Sequence, residues 1–272
     1  IWATHCIDED VFFSSNEKIF RYKNQKITAF DPEKDRFHTF FNIDNHLFVR
    51  EFGVGFKIFE NDDLHFVLGS EIFADKKIYS IMPISGSNYF VASRDAGMYY
   101  LHLNEKHPSQ STFSKAGVAI DDWLLTNELY CGRKITNNSF ALGSLKNGLI
   151  IIDSTLKIIS KINSTNGLQE DAVKHISLDA NSNLWLSLNK GISYYEKSTP
   201  ITYFGKQDGI DGIINNSIRY KNQLYILTDK GLKRFDNASR KFIETEVNSS
   251  CWVISKSNDL LFISSDDGTY EY

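Results

Sequence analysis

The sequence predicts an all-β fold, a seven-bladed β-propeller of four-stranded antiparallel blades whose last blade is incomplete within the chain. Three observations predict it. The 272 residues include 20 Phe and 13 Tyr but only 4 Pro, a composition that suits pleated, half-buried strands. A hairpin pattern recurs seven times. Each hairpin is flanked by two further strand candidates, which makes four strands per unit. Helix is nearly absent from the pattern, because no window holds a 3.6-residue period beyond one turn.

The hairpin is a hydrophobic strand, a polar turn, usually a glycine, and a second strand rich in aromatics. Its copies are FFSSNEKIFRY (12–22), LFVREFGVGFKIFE (47–60), YFVASRDAGMYYL (89–101), FALGSLKNGLIIID (140–153), LWLSLNKGISYYE (184–196), LYILTDKGLKRFD (224–236) and LFISSDDGTYEY (261–272). The turn glycines are Gly55, Gly97, Gly148, Gly191, Gly231 and Gly268, and the first copy has Lys18 instead. Between residues 18 and 268 the spacing averages about 42 residues, within the range of four-stranded propeller blades. Asn-Lys-Gly, Asp-Lys-Gly and Asp-Asp-Gly place a residue tolerant of positive φ where the chain reverses.

A strand precedes each hairpin, as at Val173–Leu178, Ile78–Met82 and Ser217–Tyr220. Another follows, as at Ile201–Phe204, Leu156–Ile162 and Lys241–Thr245. The order is A, B, C, D. A sheet with two apolar faces must bury both, and a ring of such sheets packed face to face does so. The expected blades are 1–31, 36–69, 77–114, 128–163, 172–205, 216–246 and 250–272, in one domain spanning 1–272. Ile1–Ile7 reads as strand A of blade one. The last copy reaches Tyr272 at the end of its strand C. An open edge strand is a liability, so the expectation is that the polypeptide continues. The chain starts at Ile1 rather than Met and carries no signal-peptide pattern, which reads as a fragment or a processed chain.

Composition also bounds function. Thirty basic and 34 acidic residues are interspersed, for a net charge of −4. No basic run tracks a phosphate backbone, so no nucleic-acid partner is expected. No apolar stretch reaches the roughly 18 residues that span a bilayer, so any membrane attachment belongs to regions outside this chain. Cys6, Cys131 and Cys251 are far apart in sequence. That leaves no CxxC motif and argues against a disulfide framework, and the three read as buried free thiols.

Residues 166–196, NGLQEDAVKHISLDANSNLWLSLNKGISYYE, resemble the two-component regulator propeller repeat. The matching residues are Asn166, Gly167, Leu168, Val173, Ile176, Asp179, Leu184, Trp185, Leu186, Gly191, Ile192 and Tyr195. Residues 208–236 repeat the pattern more weakly, and the other five units keep only the hairpin. The resemblance implies the extracytoplasmic, periplasmic sensor region of a bacterial inner-membrane signalling protein. It further implies a small-molecule or oligosaccharide ligand, a membrane segment and a signalling output domain elsewhere in the same polypeptide. A homodimer is compatible with it.

Catalytic constellations are weak. There is no Gly-x-Ser-x-Gly elbow and no paired-histidine zinc motif, so no cofactor, no metal and no enzymatic activity are expected. His5 and His175, on strands A of blades one and five, are too far apart around the ring to share an ion. The adjacent carboxylates Asp62-Asp63, Asp121-Asp122 and Asp266-Asp267 read as turn residues. Of these, Asp121-Asp122 is followed by Trp123, which could stack on a sugar ring from a loop. Long loops on rigid scaffolds carry binding residues, and the D–A connections around 114–127 and 205–216 look longest. The candidate ligand-binding residues are therefore Arg94, Asp121, Asp122, Trp123, Lys190, Asp208 and Asp211, on the face of the B–C turns and D–A connections. Trp185 is expected in the core, facing a neighbouring blade. The rival readings are an interaction scaffold, which needs an apolar patch on that face, and a glycan-acting propeller enzyme, which needs converging carboxylates.

Overall fold

A computed structural model describes residues 1–196 and 204–272 of the protein. Its strands form seven antiparallel sheets, each a meander in chain order. Sheet 1 is Ala3–Ile7, Asp10–Ser14, Ile19–Lys23 and Lys26–Phe30. Sheet 2 is Phe37–Ile43, His46–Glu51, Gly55–Glu60 and Asp63–Phe66. Sheet 3 is Ile78–Ser85, Asn88–Ser93, Gly97–His102 and Thr112–Lys115. Sheet 4 is Leu129–Thr136, Ser139–Ser144, Leu149–Asp153 and Ile158–Ile162. Sheet 5 is Val173–Leu178, Leu184–Leu188 and Ile192–Tyr195. Sheet 6 is Ile214–Tyr220, Gln223–Thr228, Gly231–Asp236 and Lys241–Glu244. Sheet 7 is Cys251–Ser257, Leu260–Ser265 and Gly268–Glu271. These are the blades of a seven-bladed β-propeller, with three strands in the last, as the repeat predicts. The strand D expected for sheet 5, Ile201–Phe204, lies outside the described residues except for Phe204.

The chain divides into two compact units, Ile1–Ser198 with sheets 1 to 5 and Thr199–Tyr272 with sheets 6 and 7. Within the first unit, strands A of successive sheets lie side by side. Period-two alternation then sends each strand's side chains to two different neighbours. In strand B of sheet 3, Tyr89 and Val91 join the cluster shared with sheet 2. Phe90 and Ala92 join the cluster shared with sheet 4. Full burial of such a side chain contributes about 1.5–3 kcal/mol, and one strand thereby braces two interfaces. Phe56, Phe73 and Phe113 form the aromatic centre between sheets 2 and 3, with Phe56 and Phe113 stacked at 5.7 Å. In the second unit, Leu227, Leu232, Leu261 and Ile263 fill the space between sheets 6 and 7.

The B–C hairpins of sheets 4 and 6 are closed by a hydroxyl at the end of strand B. Ser144 Oγ donates to the Gly148 carbonyl at 2.9 Å, and Thr228 Oγ1 to the Gly231 carbonyl at 2.9 Å. The glycine is obligatory for a second reason besides its φ of 63° at Gly148 and 130° at Gly231. The chain leaving strand D crosses above it. A Cβ at Gly148 would sit 2.1 Å from the Ile162 carbonyl oxygen, and one at Gly231 2.3 Å from that of Val247.

Three expectations are corrected. The connection 114–127 is not a loop: it continues strand D to Lys115 and then forms the helix Ile120–Thr126, which holds Asp121, Asp122 and Trp123. The helix buries Ile120 and Leu124 on the core of sheets 3 and 4, a single i, i+4 pair and therefore too short a period to register. Trp185 is not core but 46% exposed. Strand B of sheet 5 turns Leu184, Leu186 and Leu188 inward, so alternation puts Trp185 on the other face, against the Tyr194 ring at 4.9 Å. Cys6 is an exposed thiol and Cys131 is partly buried; only Cys251 is buried.

Candidate functional site

A repeated irregularity places the candidate site. In sheet 3, Ile78 pairs with Ser93, but the next pair is Ser80 with Ala92, which leaves Tyr79 out of the ladder. Sheet 4 skips Tyr130 between Leu129 and Cys131. Sheet 5 skips Lys174 between Val173 and His175. In sheet 2 the slip falls between Phe37 and Phe40, across His38 and Thr39. The second unit repeats it at Asn215 in sheet 6 and Trp252 in sheet 7. A β-bulge releases one residue from pairing and re-aims its side chain. Six sheets therefore hold a released side chain at the same place, one residue into strand A beside the end of strand B.

In the first unit these side chains meet. The His38 ring lies 5.0 Å from Phe52 and 5.5 Å from Tyr79, both edge-on. Tyr79 stacks on Tyr130 at 5.1 Å. Cations sit over this aromatic row. The Arg50 guanidinium is 3.6 Å from the Phe52 ring centre and Arg36 is 5.0 Å from it. Arg94 lies over Tyr79 at 4.2 Å and Tyr130 at 5.4 Å, and Lys174 over Tyr130 at 5.4 Å. Arg50 is fully buried. It is held by donating Nε and Nη2 to the Phe73 carbonyl at 3.1 and 3.0 Å and Nη2 to the Ala74 carbonyl at 2.8 Å. Arg94 donates Nε to the Leu129 carbonyl at 2.9 Å, which ties the sheet 3 turn to the first residue of sheet 4.

The electrostatics follow from this crowding. Burial, with Arg50, Arg94, Lys77 and Arg36 adding to it, pushes the His38 imidazole down to about 4, so it is neutral at physiological pH. Burial lowers Arg50 to about 10, which leaves it charged. Burial likewise raises the Tyr79 hydroxyl.

Of the candidates named from sequence, Arg94 alone lies in this row. Asp121 accepts the Met98 N–H at 2.7 Å and pairs with Lys115 at 2.6 Å, latching the helix to the sheet 3 hairpin. Asp122 is exposed on the helix, while Trp123 packs against the core of sheets 3 and 4. Lys190 is an exposed turn residue whose N–H donates to Glu170 at 2.7 Å. In the second unit, Asp208 accepts the Gly205 N–H at 2.7 Å. Asp211 pairs with Lys230 at 3.0 Å and Lys233 at 2.9 Å; those hydrogen bonds hold it at about 2. Sequence reasoning missed His38, Phe52, Tyr79 and Tyr130. Their shared signal is an aromatic or imidazole ring directly after the first apolar residue of strand A, or just past the end of strand B.

Two clefts lie elsewhere. One of about 480 Å³ in the first unit is lined by strand A residues including Met82, Arg133, Lys134 and Leu178. One of about 280 Å³ in the second is lined by Phe204, Arg219, Gln223 and Phe235. Among the described residues, no three of His, Cys, Asp or Glu gather as metal ligands. No helix among them is long and apolar enough to cross a membrane.

No family model matches the sequence, and no curated protein does. Solved structures do match. One is the extracellular domain of the hybrid two component system BT3049 from B. thetaiotaomicron, at 13% identity and a TM-score of 0.61, over 98% of this chain and 38% of that one. Another is the extracellular domain of BT4673 from the same organism, described as a one component and as a hybrid two component system. It matches at 15% and 14% identity with TM-scores of 0.53 and 0.54, over 98% of this chain and 45% of that one. The chain thus spans less than half the length of each. At these identities the likeness is one of fold, and it agrees with the repeat resemblance in sequence: the chain has the β-propeller fold of the extracellular domains of these signalling systems.

Proposed function

We propose that this propeller is a non-catalytic, extracytoplasmic sensing module that binds a small ligand and passes the event to an output domain elsewhere in its polypeptide. The single observation that supports it most is the bulged row His38, Tyr79, Tyr130 and Lys174. Released side chains gathered at one rim of a rigid scaffold suit recognition, and their ring faces suit stacking on a ligand ring. The fold shared with extracellular domains of one- and two-component systems supports the signalling context. Output would follow if the bound ligand favours one of two packings between the propeller and its neighbour, and the shift cannot exceed that difference in affinity. No bond need be made or broken.

The test is a binding screen on the purified chain with galactose, glucose and their uronic acids as probes, followed by Tyr79→Ala and Tyr130→Ala. Saturable binding that weakens about tenfold, or about 1.4 kcal/mol, in either variant is the expected result. Undiminished binding in both variants would remove the row from the function.

A further inference from the structure

We propose that the cation–aromatic row is an oxyanion site, built to take the carboxylate or sulfate of a small acidic ligand. The inference deepens the sensing reading and rests on it for its biological use, but not for its chemistry.

The argument begins with unspent donors. Arg50 Nη1 and Arg94 Nη2 are buried and have no hydrogen-bond partner among the described residues. Neither arginine has an ion-pair partner among them. Arg94 is partly buried and Arg50 fully so, and the other buried cations among the described residues all have carboxylates: Arg21 has Asp10 and Asp62, Lys57 has Glu33 and Glu51, and Lys233 has Asp211 and Glu244. The acids nearest the row are engaged or turned to solvent. Asp95 accepts the Lys77 N–H and the Ser93 hydroxyl, both at 2.9 Å. Asp75 pairs with Lys76 at 3.1 Å, and Glu128 pairs with Lys146. Asp35 is exposed.

The row therefore gathers cations that have no ion-pair partner of their own, with Asp95, Asp75 and Asp35 acting on Arg50 across space without pairing to it. Burial is the largest cause of the lowered proton affinity of His38, and the charges of Arg50, Arg94, Lys77 and Arg36 add to it. A planar guanidinium presents paired N–H donors that match the two oxygens of a carboxylate or sulfate. Tyr79 and Tyr130 add aromatic faces beside the Arg94 donor, so one ligand could lay a ring on the tyrosines while its acid meets the arginine. A neutral sugar would leave that donor unmatched, which is the kind of penalty that gives strong discrimination.

The experiment is calorimetric titration of the purified chain at low salt. The probes are galacturonate and glucuronate for the carboxylate arm, glucose 6-sulfate and inorganic sulfate for the sulfate arm, and galactose and glucose as neutral counterparts. At least one acidic probe should bind about tenfold or more tightly than its neutral counterpart. Arg94→Gln should weaken it by a similar factor, Arg94→Lys less, with the circular dichroism spectrum of both variants unchanged. Binding of no acidic probe, or equal binding to wild type and Arg94→Gln, overturns the proposal. If a neutral sugar binds through Tyr130 while the acids do not, sensing survives and the oxyanion site falls. If the acids bind through Arg94 but the output of the full-length protein ignores them, the site stands and sensing falls.

Discussion

Two groups of buried and partly buried cations in this chain are stabilised by different means. Lys57 in sheet 2 lies between Glu51 at 2.9 Å and Glu33 at 3.1 Å, and Glu51 is itself fully buried. Arg21 is gripped by Asp10 at 2.7 Å and Asp62 at 2.6 Å, with the Phe59 ring beneath it. In these pairs each charge has its opposite, although Asp10 Oδ1 and Glu51 Oε2 are buried without a hydrogen-bond donor. Arg50 and Arg94, in sheets 2 and 3, rest instead on aromatic rings and backbone carbonyls and keep N–H groups unused. The first arrangement holds the fold together. The second leaves binding capacity in place, because a cation seated on a π-face and a carbonyl is ordered without being neutralised.

Removing Lys57 should expose the contrast most sharply. Lys57→Met strands the Glu51 carboxylate in the interior, and breaking a buried pair from one side costs about 3–5 kcal/mol. Urea unfolding should show that loss, and the double change Lys57→Met with Glu51→Gln should recover most of it. Arg94→Gln strands no carboxylate and should cost about 1 kcal/mol, the worth of its bond to the Leu129 carbonyl. Equal losses at the two positions would erase the distinction.

Acid should sharpen it next. His38 titrates near 6.5 in the unfolded chain and at about 4 in the fold. Between those values the unfolded state holds more protons. Stability from this group is thus complete above pH 6.5 and lost as pH falls toward 4, by on the order of 2 kcal/mol. Urea midpoints at pH 7.5 and 4.5 measure the drop, and His38→Gln should flatten it.

The smallest effect belongs to the exposed end of such a pair. Asp62 is a solvent-facing turn residue and Asp10 keeps Arg21 bonded without it, so Asp62→Ala should cost below about 1 kcal/mol. A larger loss would mean that Arg21 is as underpaired as Arg94.

The sequence made legible whatever is decided within one hairpin. The turn glycines announce their reversals locally, and the flanking strands follow from alternation, as the agreement over Val173–Leu178 shows. Arg94 was found as a charged turn residue. Its rings were not, because Tyr79 and Tyr130 belong to strands A of two different blades, and the bulges that free them are facts of pairing register, not of composition. Trp185 failed for a related reason: alternation says that it faces away from Leu184 and Leu186, but not whether that face is covered. The helix Ile120–Thr126 was hidden by its length, although Asp121 and Asp122 in its first turn carry the acidic signature of a helix start.

The slipped register has a consequence for how such a protein can change. A residue outside the ladder donates nothing to the sheet's hydrogen-bond count, so exchanging it leaves the pairing on either side intact. His38, Tyr79, Tyr130, Lys174, Asn215 and Trp252 already show five residue types at six copies of one structural address. Six of the seven sheets contribute such an editable letter, and a new specificity could be spelled by single substitutions while the architecture that displays it stays fixed.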